Sequence, residues 1–538
     1  MRDAYQVATV RAAEQALMEL VPDGALMARA AAGLAAVSAS LLAQAPGHVY
    51  GARVVVLAGS GDNGGDALYA GAILARRGAA VTAIAAGSRT HPGGAAALKQ
   101  AGGRVIQATQ EASSASTGTA PAGAAALIGD ADLILDGLLG IGGHGGLRDP
   151  FAGLAAEAER ARQAGATVVA VDLPSGIDAD TGAVDGPAVR ADVTVTFGTI
   201  KPGLLVDPGA GHAGTVELVD IGLDPHLPPE PALRAPQRDD ISAMLPRPTA
   251  ESDKYRRGVL GLLAGSDRFT GAVLLSSGGA VHGGAGMVRV VTAQVAAVLV
   301  RQTYPETVVT VHPEPAGDGT GDGDGTGTGD GWDLIGSVGR VQAWTAGPGM
   351  GTGPDAVARL SAILGTDLPV LVDADGLTIL SQHKNLLPRQ APTLITPHAG
   401  ELARLLGGDP ADVEARRLEH ARRAAAELGV TVLLKGSTTV IASPDDGTVL
   451  VNPTGTPWLA TAGSGDVLSG LTGSLLAQGL APAQAGLAGA YLHGLAARLA
   501  AEPAAEAGAA GEAADGAGQA PIGASDVVRA LPAAFRSL

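Results

Sequence analysis

Residues 53–78 read RVVVLAGSGDNGGDALYAGAILARRG, and the fold follows from them. Arg53 to Ala58 is a short aliphatic run, read as a buried strand. Gly59, Gly61 and Gly64 then form a tight turn, and the apolar positions after Asp66 recur at helical spacing. Similar runs follow at Val81–Ala85, Leu133–Asp136, Val168–Asp172 and Val193–Phe197, with helical stretches between them such as Phe151–Gly165. Residues 6–43 carry helical spacing alone. Strands alternating with helices predict an α/β fold with a parallel sheet covered on both faces.

The pattern fades at 223–240, LDPHLPPEPALRAPQRDD, which is Pro-rich and without period, and is expected to link two domains. A second α/β series follows. Its strands are predicted at Gly258–Ala264, Met287–Val291, Ala343–Ala346, Val370–Asp373, Thr393–Thr396 and Thr431–Lys435. Its helices are predicted at Pro354–Leu364, Ala411–Leu428 and Asp466–Gln478. Three low-complexity pieces interrupt the chain, at Glu111–Ala126, Pro315–Gly331 and Ala501–Ala520. The middle one holds Asp318, Asp322, Asp324 and Asp330 but lacks the bidentate Glu of an EF-hand, so a disordered insertion is expected.

Composition narrows the function. The 538 residues include four Phe, three Trp and six Tyr, so the core must be aliphatic. Gly, at 80 residues, has roughly twice its ordinary usage. The net charge of −17 argues against nucleic-acid binding, which needs a basic surface. Without cysteine there is no disulfide, thiolate catalysis or Cys-ligated metal. The N-terminal MRDAYQVATVRAAEQ has no long apolar run, and Ala25–Ala45, which contains Arg29, reads as a buried helix. A cytoplasmic protein with no membrane partner is expected.

Three strand ends in the first half carry polar groups. Asp62, Asn63, Gly64, Gly65 and Asp66 can present amides, carbonyls and carboxylates together, to a polar ligand or a metal ion. No acid stands about 20 residues further on to hold a ribose, which disfavours a dinucleotide-dependent dehydrogenase. DLILDGLLGIGGHGGLRDP places Asp136 at a strand end before a glycine-rich loop, and VVAVDLPSGIDADTG does the same for Asp172 and Ser175. Each Asp alone could be a helix N-cap; three polar strand ends facing one crevice favour a site.

GSGDNGGD, LDGLLGIG and VDLPSGID, followed by VTFGTIKPGL, closely resemble the NAD(P)H-hydrate epimerase family over about residues 6–222. The resemblance implies a Rossmann-like, three-layer domain (1–222) that interconverts the R and S hydrates of NADH and NADPH. It implies that Asp62–Asp66, Asp172 and the loop Gly140, Ile141, Gly142, Gly143, His144, Gly145, Gly146 contact the hydrate. It further implies a potassium ion held by Asn63, Asp136 and Ser175. Asp172 is the expected acid/base group and Lys201 a weaker candidate. The chain departs from the family at Asp62, where members usually have Asn, and at Met27–Ala31, where Ala28 replaces a usual Glu.

In the second half the strongest motif is TPWLATAGSGDVLSGLTGSLLAQG (456–479). Gly463, Ser464 and Gly465 open a helix whose free N–H groups suit an anion, and Asp466 stands in its first turn. A carboxylate there can take the proton of a hydroxyl attacking a phosphoryl group. LLKGSTTVI adds Lys435 and three hydroxyl residues; GPGMG, VDADGL and TPHAGE add further strand-end loops. These segments, with KYRRGVLGLLAGSDRFTGA and GAGMVRV, resemble the ADP-dependent NAD(P)H-hydrate dehydratases of the ribokinase-like fold over about residues 240–500. In that family ADP phosphorylates the hydrate's C6 hydroxyl and phosphate then leaves, giving NAD(P)H and AMP. Carried over, Ala272, Gly351, His398 and Asp466 would contact the hydrate, with Asp466 as base. Lys435, Gly436, Ser437, Thr438, Thr439 and Gly465 would hold the nucleotide, with Mg²⁺ on its phosphates.

The expected organisation is an epimerase domain at 1–222, a linker at 223–240, a dehydratase domain at 241–500 with an insertion at 315–331, and a tail at 501–538. Expected partners are NADH hydrate, NADPH hydrate, ADP and further copies of the chain in a homo-oligomer. A kinase of a small alcohol or vitamin precursor, or a dehydratase with a degenerate epimerase domain, is the alternative.

Overall fold

The computed structural model describes residues 1–45, 47–87, 89–108, 122–143, 145–312, 333–445, 447–502 and 519–538. His144, the 315–331 insertion, most of the Glu111–Ala126 stretch and residues 503–518 lie outside them. The chain forms two compact units, Arg2–Leu233 and Arg234–Leu538.

In the first unit the short Val/Ile/Leu runs become strands β1 (Arg53–Ala58), β2 (Ala80–Ala85), β3 (Arg104–Gln107), β4 (Leu133–Gly137), β5 (Thr167–Val171), β6 (Val193–Phe197) and β7 (Thr215–Val219). They pair all-parallel in the order β3-β2-β1-β4-β5-β6-β7. Alternate residues serve opposite faces. Val54, Val56, Leu133, Leu135 and Val169 pack with Leu34 and Leu68 of helices α2 (Ala25–Gln44) and α3 (Asp62–Arg76). Val55, Leu57, Ile134 and Val168 pack with Leu154 and Ala158 of α4 (Phe151–Gln163). This makes three layers and fixes the register, because a one-residue slip would exchange the two faces. α2 is long and apolar enough to cross a membrane, but it buries Ala31, Leu34, Ala35 and Leu42 in this core. The order reverses between β1 and β4, so a crevice opens at their carboxyl ends.

The second unit contains β8 (Val259–Leu263), β9 (Met287–Thr292), β10 (Val308–Val311), β11 (Ala343–Ala346), β12 (Val370–Val372), β13 (Thr393–Ile395), β14 (Thr431–Leu434), β15 (Thr439–Ala442) and β16 (Val449–Asn452). Their order is β16-β15-β14-β13-β12-β11-β8-β9-β10. β8 to β14 are parallel, whereas β15 and β16 are antiparallel additions. Trp344 is wholly buried, and Gly261, its register partner on β8, provides the space: a Cβ there would lie 2.5 Å from the indole.

Three features differ from the sequence expectations. The predicted helix Ala411–Leu428 is two helices, Pro410–Ala415 and α5 (Arg417–Leu428), broken at Arg416. There Arg417 turns inward and donates to the Lys435 carbonyl at 2.5 Å, which a straight helix would prevent. Within the 223–240 stretch the chain forms a strand at Leu233–Ala235 and begins the helix Arg238–Met244. The 62–66 segment is not a loop but the first turn of α3.

Helices α6 (Thr270–His282) and α7 (Ser464–Ala477) approach backbone to backbone. A Cβ on Gly470 would lie 1.9 Å from the Ser276 carbonyl oxygen, and one on Gly279 would lie 2.2 Å from that of Val467. Neither neighbour can rotate away. Gly470→Ala should therefore destabilise the second unit by roughly 2–3 kcal/mol, as overpacking does. Urea denaturation would read this as a lower midpoint at an unchanged slope.

Candidate active sites

In the first unit, Asp136 ends β4 and is fully buried. Its Oδ2 accepts the Ser175 N–H at 2.8 Å and its Oδ1 accepts the Ser175 hydroxyl at 2.7 Å. Burial pushes its carboxyl up to about 6, against the lowering effect of these bonds. Asn63, in the first turn of α3, donates to the Leu139 carbonyl at 3.0 Å, and the Ser175 hydroxyl accepts the Leu139 N–H at 2.9 Å. Asn63, Asp136 and Ser175 are thus brought into one network around residue 139, with hard oxygen donors that suit a cation of this kind. A Cβ on Gly140 would press on Asn63 at 3.1 Å, so this glycine lets the loop close down. Gly146 instead packs on Gly186, where its Cβ would lie 2.5 Å from the Gly186 α-carbon.

Asp172 follows β5 with a φ of 65°, a left-handed conformation that few side chains other than Asn and Asp adopt. Its Oδ1 accepts the Lys201 ammonium at 2.5 Å, and the Thr196 hydroxyl and Phe197 N–H at 3.1 Å each. Lys201, a weaker candidate in the sequence, is therefore the buried ion-pair partner of the expected acid/base group. Asp66 on α3 is partly buried; desolvation and the negative charges of Asp172, Asp62 and Glu14 hold its carboxyl well above the usual range. Glu14 lies on α1 (Val7–Met18) and is raised by burial, with Lys201 working in the opposite sense. Sequence inspection missed Glu14 because its helical setting reads as an ordinary solvated face. Met27 reaches the site as well: a Cβ on Gly65 would meet its methyl at 3.1 Å. Ala28, the next residue, is exposed.

In the second unit, a cavity of about 640 Å³ opens at the strand ends. Asp373, Lys435, Ser437, Gly465 and Asp466 line one part of it. Lys435 Nζ donates to Asp373 Oδ1 at 2.8 Å and lies 3.7 Å from Glu401 Oε2. Asp373 Oδ2 accepts the Ser469 hydroxyl of α7 at 2.5 Å. Burial works against the charged ammonium, but the surrounding carboxylates outweigh it and raise Lys435 above the ordinary range. Asp466 is pushed up to about 7 by burial and by Asp373, with Lys435 pulling the other way. Gly465 borders the ammonium: a Cβ there would lie 3.4 Å from Lys435 Nζ, an ordinary contact. A Cβ on Gly436 would collide with the Arg417 guanidinium, so that position is closed to larger residues.

His398 caps α8 (Ala399–Leu406), its Nδ1 accepting the Gly400 N–H at 3.0 Å while Glu401 accepts the His398 N–H at 2.8 Å. Gly351 donates to Asp375 Oδ2 at 2.9 Å, and Ala272 packs beside Gly349. Thr438 and Thr439 are buried, and Thr439 opens β15. Ala374, between Asp373 and Asp375, has a φ of 51°, a second strained residue at a strand end. Asn452 and His493 also line the cavity. Neither belongs to a motif, and only folding brings them there.

Two crevices, each at a sheet's carboxyl edge and each pairing a lysine, buried in the first and partly buried in the second, with carboxylates, define a two-domain α/β enzyme. In the second unit Gly463, Ser464, Gly465 and Asp466 at the start of α7 line the cavity. Comparison with known proteins agrees. Residues 260–515 match the family model described as NAD(P)H-hydrate dehydratase, and residues 23–203 match that of the YjeF-related protein N-terminus. A bifunctional NAD(P)H-hydrate repair enzyme of Mycobacterium leprae is 44% identical over 93% of this chain and 94% of its own length. Its counterpart in Mycobacterium tuberculosis is 46% identical over 90% and 91%. The ADP/ATP-dependent NAD(P)H-hydrate dehydratase structure from Bacillus subtilis is 28% identical and covers 56% of this chain and 97% of its own, with a TM-score of 0.45. The chain belongs to the bifunctional NAD(P)H-hydrate repair enzymes. A kinase of a small alcohol would not account for a match across both units.

The electrostatics of the second site can be tested directly. Carboxyl ¹³C NMR should find Asp466 titrating near 7 in the free protein. Lys435→Met removes the one charge that pulls it down, and the midpoint should then move higher; an unchanged midpoint would remove Lys435 from the site's electrostatics.

Proposed function

We propose that the first unit interconverts the R and S hydrates of NADH and NADPH, and that the second dehydrates the S form with ADP. What carries this reading is Asp466, a partly buried carboxylate with a raised pKa at a glycine-lined helix mouth beside Lys435, in a chain related to bifunctional repair enzymes along nearly its whole length. Asp466 takes the proton of the hydrate's C6 hydroxyl as the oxygen attacks the terminal phosphoryl group of ADP. AMP leaves. The phosphate then departs from C6 as the adjacent ring carbon gives up a proton, and the electrons of that C–H bond restore the double bond of NAD(P)H. Lys435, Gly436, Ser437, Thr438, Thr439 and Gly465 hold the nucleotide, while Ala272, Gly351 and His398 position the hydrate.

Asp373, Glu401 and Asp466 act on the Lys435 ammonium, but among the described residues no three His, Asp or Glu side chains gather as a ready-made metal site; Mg²⁺ would therefore arrive on the phosphates of the nucleotide, near Asp373 and Asp466. Bound there, the ion would neutralise the phosphates. In the first unit Asp172, held at 2.5 Å by Lys201, moves the proton at the hydrated carbon, and Asp62–Asp66 with Gly140–Gly146 embrace the substrate. A potassium ion on Asn63, Asp136 and Ser175 would supply a fixed positive charge beside it. The chain is further proposed to assemble as a homo-oligomer and to act in the cytoplasm.

Asp466→Asn should lower ADP-dependent dehydration by 10²–10⁴-fold and leave epimerisation intact. Asp172→Asn should spare turnover of the S hydrate and abolish use of the R hydrate. Equal loss of both activities in a folded variant would contradict the division of labour.

Asp136 gives a test without turnover. Its folded pKa, about 6, exceeds the unfolded value, so the stability it contributes is present at low pH and lost as pH rises through 6. A cation competes with that proton. KCl in place of NaCl should therefore raise Tm at pH 7.5, raise it much less at pH 5, and have no such effect in Asp136→Asn.

A further inference from the structure

α9 (Pro482–Ala501) carries a histidine that the proposed chemistry does not use. His493 is 6% exposed and lines the cavity beside Leu468, Ala490 and Asn452. Its Nε2 is buried without a hydrogen-bond partner among the described residues, and among the cavity's lining side chains it is the one such atom. A buried polar atom left unpaired is costly, and native proteins retain few of them without a use. The ring's other polar contact is to the backbone of Ser464, the first residue of α7. That bond favours a protonated Nδ1 and leaves a lone pair on Nε2. Burial pushes the imidazole down to about 4, so it is neutral at pH 7 and accepts rather than donates there.

Its position identifies the donor. Ser464 adjoins Gly465 and Asp466, where the phosphates are proposed to sit, so the ring stands one residue behind the helix mouth. Of the groups on a nucleoside diphosphate, the sugar lies next to the phosphates, and its hydroxyls are hydrogen-bond donors. We propose that His493 Nε2 accepts a hydrogen bond from a ribose hydroxyl of the bound nucleotide, making it a nucleotide-recognition residue. This inference rests on the proposed placement of ADP in the cavity.

Calorimetric titration of the full-length protein with ADP, 2′-deoxy-ADP, 3′-deoxy-ADP and inosine diphosphate tests it. The wild type should bind one of the two deoxy nucleotides about tenfold more weakly than ADP, the net worth of one hydrogen bond. His493→Leu should weaken ADP by a similar factor and bind ADP and that analogue alike; His493→Gln, which keeps an acceptor, should recover part of the discrimination. If His493→Leu weakens all ligands equally and still discriminates, the ring serves only to hold Ser464, and the proposal fails. Loss of discrimination against inosine diphosphate instead would place the ring on the base and also overturn it. Wild-type protein that binds no adenine nucleotide, or binds ADP equally well as Lys435→Ala, would overturn the nucleotide site itself.

Discussion

One ammonium group organises the second active site. Lys435 lies at the end of a strand, partly buried, with Asp373 at 2.8 Å and Glu401 at 3.7 Å. Without it the strand ends would gather carboxylates with nothing to offset them, and unpaired buried charge is among the costliest features a fold can contain. With it, Asp373 is anchored on two sides, by the lysine and by Ser469, and the helix that follows Gly465 is tied to the sheet. Asp466 is then the group left to titrate. Burial and the neighbouring Asp373 keep its proton near the point where a base is useful at neutral pH.

The first unit uses the same device in a different frame. Lys201 is buried against Asp172, and Asp66 and Glu14 lie within electrostatic reach. Both units add backbone strain at a strand end, at Asp172 and at Ala374. In each, an α/β sheet reverses its strand order and leaves a gap between two crossovers. The chemistry differs between the units because the following helix differs. In the first, α3 opens with Asp62, Asn63 and Asp66, which offer side-chain oxygens; in the second, α7 opens with glycines and offers backbone N–H groups.

Much of this is legible in the sequence because glycine and aspartate at strand ends have few structural uses. The Val/Ile/Leu runs reveal the parallel sheets, and the order of the motifs marks both crevices. What the sequence hides is contributed from outside those motifs. Glu14 sits on an amphipathic helix and looks solvated; His493 sits in an apolar helix and looks like core. The antiparallel strands Thr439–Ala442 and Val449–Asn452 are too short to stand out beside the hydroxyl-rich loop. Arg416 breaks a helix whose local sequence has no Gly or Pro, because Arg417 bonds to a carbonyl that is remote along the chain. Pairings over long sequence distances are what local pattern cannot supply.

The glycine contacts between α6 and α7 bear on how the enzyme receives its ligands. With the Gly470 α-carbon set against the Ser276 carbonyl, neither helix can slide or roll without a backbone collision. The mouth of α7 is therefore preorganised: it takes its shape during folding and not at the moment of encounter, so little ordering entropy remains to be lost on binding the proposed nucleotide. Any adaptation to the bulk of a damaged coenzyme falls to the strand-end loops, which makes that side of the crevice, and not the helix, the place where selectivity among substrates can drift.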